Sequence, residues 1–255
     1  VATVLSQLGS CLYVLRFLFS KSVPIPISFG GYDPRVMLRI LAVGMTPFLI
    51  IGVDNVMIIA MNAVLQRYGG ASEGDLMVTV ATIVQSFMLV VTMPLGGISG
   101  GTQSILSYNY GARQFGRVRD AQKKIFRLCM GFTAIMFVLA RAAGPLFVRL
   151  FTKDAQVAEI SAWAIRVCTL AAIPLGAQYE IVDGFTALGQ VRLSFPLSFF
   201  RKAVYFAALF ILPACFGARA AFYAEPVSDV LGPLASAIVY KLCIGPVLSD
   251  GHARV

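Results

Sequence analysis

From Leu76 to Ala112 the chain carries no Asp, Glu, Lys, Arg or His. A helix at a water-exposed surface needs a polar face; a stretch this long without one belongs in lipid, where a spanning helix takes roughly 20 apolar residues. Further apolar stretches fall at about 1–19, 36–65, 125–151, 156–188, 194–216 and 227–244, with the first-mentioned one best bounded at 76–108. Several are interrupted by Pro47, Pro94, Gly144 and Pro145, Pro174 or Pro213. Breakers survive in membrane helices where neighbours or water satisfy the freed backbone groups, which suits a transporter bundle better than simple anchors. Charged residues make up only 13% of the chain, against about 25% in soluble domains, and the mean hydropathy is +0.80. No connection is long enough for a soluble domain. An all-α membrane protein is expected.

The net charge of +9 raises the possibility of nucleic acid. The cations, however, sit at the ends of apolar stretches and not in one patch with interleaved aromatics, so no nucleic-acid partner is expected. Cys11, Cys129, Cys168, Cys215 and Cys243 are isolated, and His252 is the single histidine. Neither a zinc site nor disulfides are indicated, and the cysteines are expected to pack as small hydrophobes. No metal, cofactor or nucleophile–base set is expected, hence no enzyme. Val1 follows no charged leader, so the sequence is expected to begin inside a helix.

Lys and Arg set the orientation. Arg16, Lys21, Arg35 and Arg39 fall on the first connection; Arg113, Arg117, Arg119, Lys123, Lys124 and Arg127 on the third; Arg192, Arg201 and Lys202 on the fifth; Lys241 and Arg254 at the tail. The opposite side holds Arg67, Arg149, Lys153 and Arg219 with the acids Glu73, Asp75, Asp154, Glu159, Glu225 and Asp229. The carboxyl terminus is therefore expected on the cytoplasmic side. There too lies SYNYGAR (residues 107–113), where Asn109 and Gly111 suit a helix end because both tolerate the left-handed conformation. Upstream, Gly96 with Gly100 and Gly97 with Gly101 form overlaid GxxxG spacings just after Pro94, which predict close approach of another helix. Downstream, Phe115, Val118, Gln122 and Ile125 recur at helical spacing among basic residues, a pattern that predicts a segment lying on anionic headgroups.

The stretches GMTPFLIIGVDNVMIIAMNAVLQRYGG, PLGGISGGTQSILSYNYGARQFGRV, GFTALGQVRLSFPLSFFRKAVYFAALFILP and FYAEPVSDVL resemble, in order and over nearly the whole chain, the carboxyl-terminal half of multidrug and toxic compound extrusion (MATE) transporters. The likeness is strongest to the bacterial multidrug antiporter branch. It implies one six-helix lobe of a twelve-helix fold plus the end of the preceding helix. Residues 1–19 would end the sixth helix, 20–35 form the cytoplasmic lobe-joining loop, 36–244 the second lobe and 245–255 a cytoplasmic tail. An amino-terminal lobe is then missing. The implied activity is export of lipophilic, often cationic drug-like compounds across a bacterial inner membrane, driven by H+ or Na+. A flippase for lipid-linked or polysaccharide substrates, from a related branch, is the alternative, as is a non-transporting membrane fragment.

Asp54, Glu180 and Asp183 lie within apolar stretches, where an unpaired charge costs at least ~2.5–3.5 kcal/mol. Such acids face a cavity, pair, or carry protons. Asp54 is one heptad after Pro47, with Asn55 and Asn62 supplying an adjoining polar face. The resemblance places a cation-binding acid, usually glutamate, at the position of Asp54, and a second near Gln178, which is not an acid here. Glu180 and Asp183 are three apart on one helix face and so can share a proton. Arg141 and Arg166 are expected at the cavity mouth or as ion-pair partners of Asp54. Met45, Met57, Met61, Met88 and Met93 are candidates for an adaptable apolar wall.

Overall fold

The computed structural model describes residues 2–20, 30 and 33–249, and the regular structure among them is helical. In order come α1 (Ala2–Leu18), α2 (Pro34–Gly101), α3 (Gln103–Gly111), α4 (Phe115–Ala142), α5 (Gly144–Arg149), α6 (Ala155–Cys168), α7 (Ala172–Ala187), α8 (Val191–Phe216), a 3-10 helix (Ala218–Tyr223) and α9 (Ala224–Ser249). The chain divides into a unit of Val1–Pro47 and a unit of Phe48–Val255. The first contains α1 and the opening of α2. Most of the expected loop 20–35 and the end of the tail, with His252 and Arg254, lie outside the described residues, as do the side chains of Arg39, Met45 and Pro47.

In the second unit α2 is two arms and not one rod. Gly70 takes a non-helical conformation, φ 63° and ψ −165°. A Cβ on Gly69 would sit 2.9 Å from the Gly74 backbone, so the two arms part at a tight glycine turn that no other residue fits. This is the boundary expected between 36–65 and 76–108. Pro94 lies inside the second arm, which continues to Gly101. The arm then breaks at Thr102, whose hydroxyl donates to the carbonyls of Ile98 and Ser99, a pattern that competes with the helical ladder.

Among the described residues, four helices are long and apolar enough to cross a membrane: Glu73–Gly111, Phe115–Ala142, Val191–Phe216 and Ala218–Leu248. A fifth span arises if α6 and α7, bent by 50°, are taken together. The expected single stretch 156–188 is thus broken. Pro174 falls in the first turn of α7, where its missing N–H costs no helical bond. The stretch 125–151 breaks at Ala143 between α4 and α5, and α9 runs to Ser249, beyond the expected boundary at 244.

One apolar core joins the arms of α2 to α6, α8 and the 3-10 helix through residues such as Met61, Leu65, Met77, Ile165, Leu209 and Phe222. A second joins Leu95, Leu106, Val118, Ile125, Leu175 and Leu248 of α2, α3, α4, α7 and α9. Large apolar side chains also cover the outside, among them Leu128, Ile135, Val138, Phe210, Ile211, Leu234 and Ile238. Polar groups inside with apolar groups outside suit lipid, not water, as the surrounding solvent.

Two local expectations are corrected. The basic segment after Arg113 is not a separate helix on headgroups: it is the start of α4, and Val118, Gln122 and Ile125 turn into the protein, with Arg117, Arg119, Lys123 and Lys124 outward. The left-handed residue at the SYNYGAR end is Arg113 (φ 58°), not Asn109 or Gly111. Asn109 instead caps locally, its side-chain amide donating to the carbonyl of Ile105 at 2.7 Å and its carbonyl accepting from the Gln114 N–H at 2.9 Å.

Candidate functional site: a paired cavity and a carboxylate chamber

The adjacent cations Arg201 and Lys202 lie in the middle of α8, about 100° apart around the helix. They therefore reach different neighbours. The Lys202 ammonium pairs with the Asp54 carboxylate of α2. The Arg201 guanidinium donates from Nη1 to Asp229 Oδ1 of α9 at 3.0 Å, and the Asp229 side chain is 0% exposed. The charge pattern predicts both cations on the fifth connection and Asp229 on the opposite surface. They are interior residues, which leaves Arg192 alone of those three as an exposed cation.

Gly232 of α9 makes room for this arrangement. A Cβ there would lie 2.4 Å from Gln178 Oε1 and 2.9 Å from Arg201 Cγ. Gln178 is buried, donates from Nε2 to the carbonyl of Leu197 at 3.5 Å, and has no partner at Oε1. Asp229 Oδ2 is likewise unpartnered. Glu225, one turn before Asp229, lines the cavity that opens here.

That cavity measures about 350 Å³. Asp54, Arg201 and Glu225 supply its charge, Tyr179 and Tyr205 its phenols, and Met57, Met61 and Met88 much of its apolar wall. Three of the expected methionines thus meet around Asp54, whereas Met93 is exposed. Asp54 keeps 48% of its side chain exposed despite the pairing. Asn55 points elsewhere: it is exposed and donates to the carbonyl of Ile51 at 2.9 Å. Arg141 and Arg166 are not the partners of Asp54. The Arg141 guanidinium lies 3.4 Å from the centroid of the Phe137 ring and donates to the Phe137 carbonyl, while Arg166 is exposed.

Further along α7 a second polar region forms without any salt bridge to its acids among the described residues. Asp183 Oδ2 accepts from the Ser99 hydroxyl at 2.5 Å, and the Gln103 side chain also bonds to Asp183. Glu180 is 3% exposed and its Oε1 has no partner. Facing it from α4 is Gln122, whose Oε1 accepts from the Tyr240 hydroxyl of α9 at 3.2 Å. Glu180 and Asp183 therefore belong to one buried polar cluster, here called the chamber, with the Ser99 hydroxyl and the Gln122 amide among its members.

Among the described residues, the glycines singled out beside Pro94 do not receive a close helix, Gly96 excepted, which touches one ring of α7. No atom lies within 4 Å of the Cβ position of Gly97, Gly100 or Gly101, and Gly96 meets only the Tyr179 ring at 3.7 Å. The close helix approach is at Gly176 of α7, where a Cβ would lie 2.8 Å from Thr133 Oγ1 and 3.1 Å from the Cys129 carbonyl of α4. Gly111 has open space, and Pro94 is exposed. Cys129 and Cys168 are buried, whereas Cys11 and Cys215 are exposed; these four and Cys243 are unbridged. No group of three His, Cys, Asp or Glu among the described residues is placed to hold a metal ion.

The MatE family model matches residues 37–220. The multidrug export protein MepA of Staphylococcus aureus (strain MSSA476) is 21% identical over 246 residues, covering 95% of this chain and 53% of that protein. MepA of Staphylococcus haemolyticus (strain JCSC1435) is 24% identical over 247 residues with the same coverage. Among solved structures, a multidrug resistance MATE family transporter of the MOP superfamily matches in its outward-facing conformation with a TM-score of 0.83 and 18% identity, over 96% of this chain and 55% of that one. An inward-facing conformation matches with a TM-score of 0.78 and 16% identity, over 99% and 58%. The chain thus spans about half the length of the relatives it matches, and its fold is that of one lobe.

Proposed function

Because this chain belongs to the MatE family, we propose that it is the second lobe of a cation-coupled antiporter exporting lipophilic, often cationic compounds across a bacterial inner membrane. An amino-terminal lobe completes its transport path, and the carboxyl terminus is cytoplasmic, a reading supported by the basic residues at the start of α4, since cytoplasmic connections carry an excess of Lys and Arg. The observation that carries this reading is the cavity of about 350 Å³, which combines a methionine-rich wall with the half-exposed carboxylate of Asp54. An unbranched thioether wall adapts to guests of different shape, and a guest cation can replace Lys202 on Asp54. Arg201 and Lys202 already face carboxylates, which favours cationic guests over a lipid phosphate. The relatives named as multidrug export proteins support the same reading.

Coupling falls to the carboxylates. Asp54 senses the guest, and Glu180 with Asp183 takes up and releases the driving ion, with protons favoured over sodium because two close acids among neutral partners share a proton readily. An ion that binds one conformation better than the other shifts the populations between them. The test is efflux from cells making the full-length protein. Asp54→Asn is expected to abolish ion-driven efflux while normal amounts of protein reach the membrane; unchanged efflux would remove Asp54 from the mechanism. Residues 1–255 made alone are expected to confer no resistance, since half the wall of the path is absent.

A further inference from the structure

Two buried polar atoms of the chamber lack partners and converge on one point. Glu180 Oε1 accepts no hydrogen bond and Gln122 Nε2 donates none, although their residues are 3% and 2% exposed. A Cβ on Gly184 would lie 3.7 Å from the first and 3.2 Å from the second, so both atoms border the same glycine and a side chain there would crowd Gln122. The other end of the same amide is engaged, because Gln122 Oε1 accepts from the Tyr240 hydroxyl at 3.2 Å.

The chemistry of these three groups is restrictive. An amide has a donor end and an acceptor end, and a phenol hydroxyl either donates or accepts. With Tyr240 donating to Oε1, the amide turns its NH2 toward Glu180, which matches an ionised carboxylate. A protonated Glu180 is itself a donor and needs the amide oxygen. The amide then turns over, offers Oε1 to Glu180 and donates from Nε2 to the Tyr240 oxygen. Each protonation state of Glu180 has its own matching orientation of Gln122.

We propose that Gln122 and Tyr240 form a hydrogen-bond relay that reads the protonation of Glu180 and makes this chamber a site for a proton, not for sodium. This rests on the reading of Glu180 as a coupling carboxylate and names the ion. With Tyr240 donating to Oε1 the amide presents to Glu180 its NH2, which cannot ligate a metal cation; sodium would need the turned-over amide, the orientation that the relay assigns to protonated Glu180. The step balances simply: a proton from solvent adds to Glu180 Oε1, and otherwise only hydrogen bonds exchange. Its consequence is mechanical, since Gln122 belongs to α4, Glu180 to α7 and Tyr240 to α9. Turning the amide over changes how three helices are tied together at one end of the lobe. The other titratable groups around Glu180 are Asp183 on α7, tied to Ser99 of α2 and Gln103 of α3. From α4 come Cys129 and, beyond Tyr240, Arg119. Of the cations on α8, Lys202 is paired with Asp54 and Arg201 with Asp229.

Infrared difference spectra of the intact protein in lipid, recorded between acid and alkaline pH, test this. A protonated-carboxyl band is expected that Glu180→Gln removes. In Gln122→Leu its frequency should rise, because the carboxyl loses its acceptor, and the pH-dependent side-chain amide signal should vanish. In Tyr240→Phe, which removes only a hydroxyl and guards against misfolding of the first variant, the amide signal should also vanish. Replacing choline by sodium should leave the titration midpoint in place. A Glu180 band unaltered in both relay variants would overturn the relay while leaving the role of Glu180 standing. A midpoint moved by sodium would overturn the choice of ion. A titration that Glu180→Gln does not touch would overturn the coupling role itself.

Discussion

The two polar regions of the lobe hold their acids in opposite ways. In and beside the cavity, Asp54 and Asp229 each have a cation, both cations coming from adjacent positions on α8, and Glu225 lines the same space as Arg201. In the chamber, Glu180 and Asp183 have no ion pair among the described residues, and their polar neighbours include the Ser99 hydroxyl and the Gln122 amide. Each solution answers the cost of burying charge. A paired acid holds helices in place and gives up a cation only to another cation. An acid among neutral donors exchanges its proton without breaking an ion pair. One lobe thereby contains a region suited to a charged guest and a region suited to a small ion.

The largest effect should come from breaking the buried pair. Asp229→Leu strands the Arg201 guanidinium in a low-dielectric interior and is expected to cost about 3–5 kcal/mol, read as a lower thermal midpoint in detergent. Adding Arg201→Met should recover most of that loss. Glu180→Gln, by contrast, strands no counter-ion and should change stability by less than about 1 kcal/mol. Equal destabilisation by Asp229→Leu and Glu180→Gln would erase the distinction between the two regions.

A smaller effect is expected where α4 and α7, the helices that wall the chamber, touch. Gly176→Ala places a methyl 2.8 Å from Thr133 Oγ1 and 3.1 Å from the Cys129 carbonyl, an overpacking worth about 1–3 kcal/mol. Thr133→Ser should relieve part of it by removing the methyl that a Cβ would meet at 3.0 Å. The smallest effect belongs to Gly97→Ala, which meets nothing within 4 Å and should leave the thermal midpoint of residues 1–255 unchanged. In the full-length protein the same substitution becomes informative: loss of efflux there would show that another helix packs on this face.

How these features read in the sequence follows from which physical signal each leaves. Long uncharged stretches announce spans, because apolar length is a local property, whereas the turn at Gly69 and Gly70 appears only in the backbone. Asp54, Glu180 and Asp183 stand out as acids in apolar surroundings, and the structure does place them in two polar interiors. Arg201, Lys202, Glu225 and Asp229 read as connection residues because they sit near the ends of apolar stretches. Their burial depends on which helix packs opposite, a non-local fact. Gln122 was legible as part of an amphipathic face, but what covers that face was not; protein covers it, not headgroups. The contact at Gly176 leaves no repeated spacing to notice, whereas the GxxxG glycines do and, Gly96 beside the Tyr179 ring excepted, meet nothing within 4 Å among the described residues.

The division of labour is tested most directly by equilibrium binding of tetraphenylphosphonium, a lipophilic cation, to the purified full-length protein carrying Asp54→Asn or Glu180→Gln. Asp54→Asn removes the carboxylate that receives the guest and is expected to weaken binding about tenfold, roughly 1.4 kcal/mol. Glu180→Gln should leave Kd within a factor of about two, under roughly 0.5 kcal/mol, while abolishing transport driven by a pH gradient. Equal weakening by both variants, or by Glu180→Gln alone, would contradict the assignment of guest and proton to separate regions.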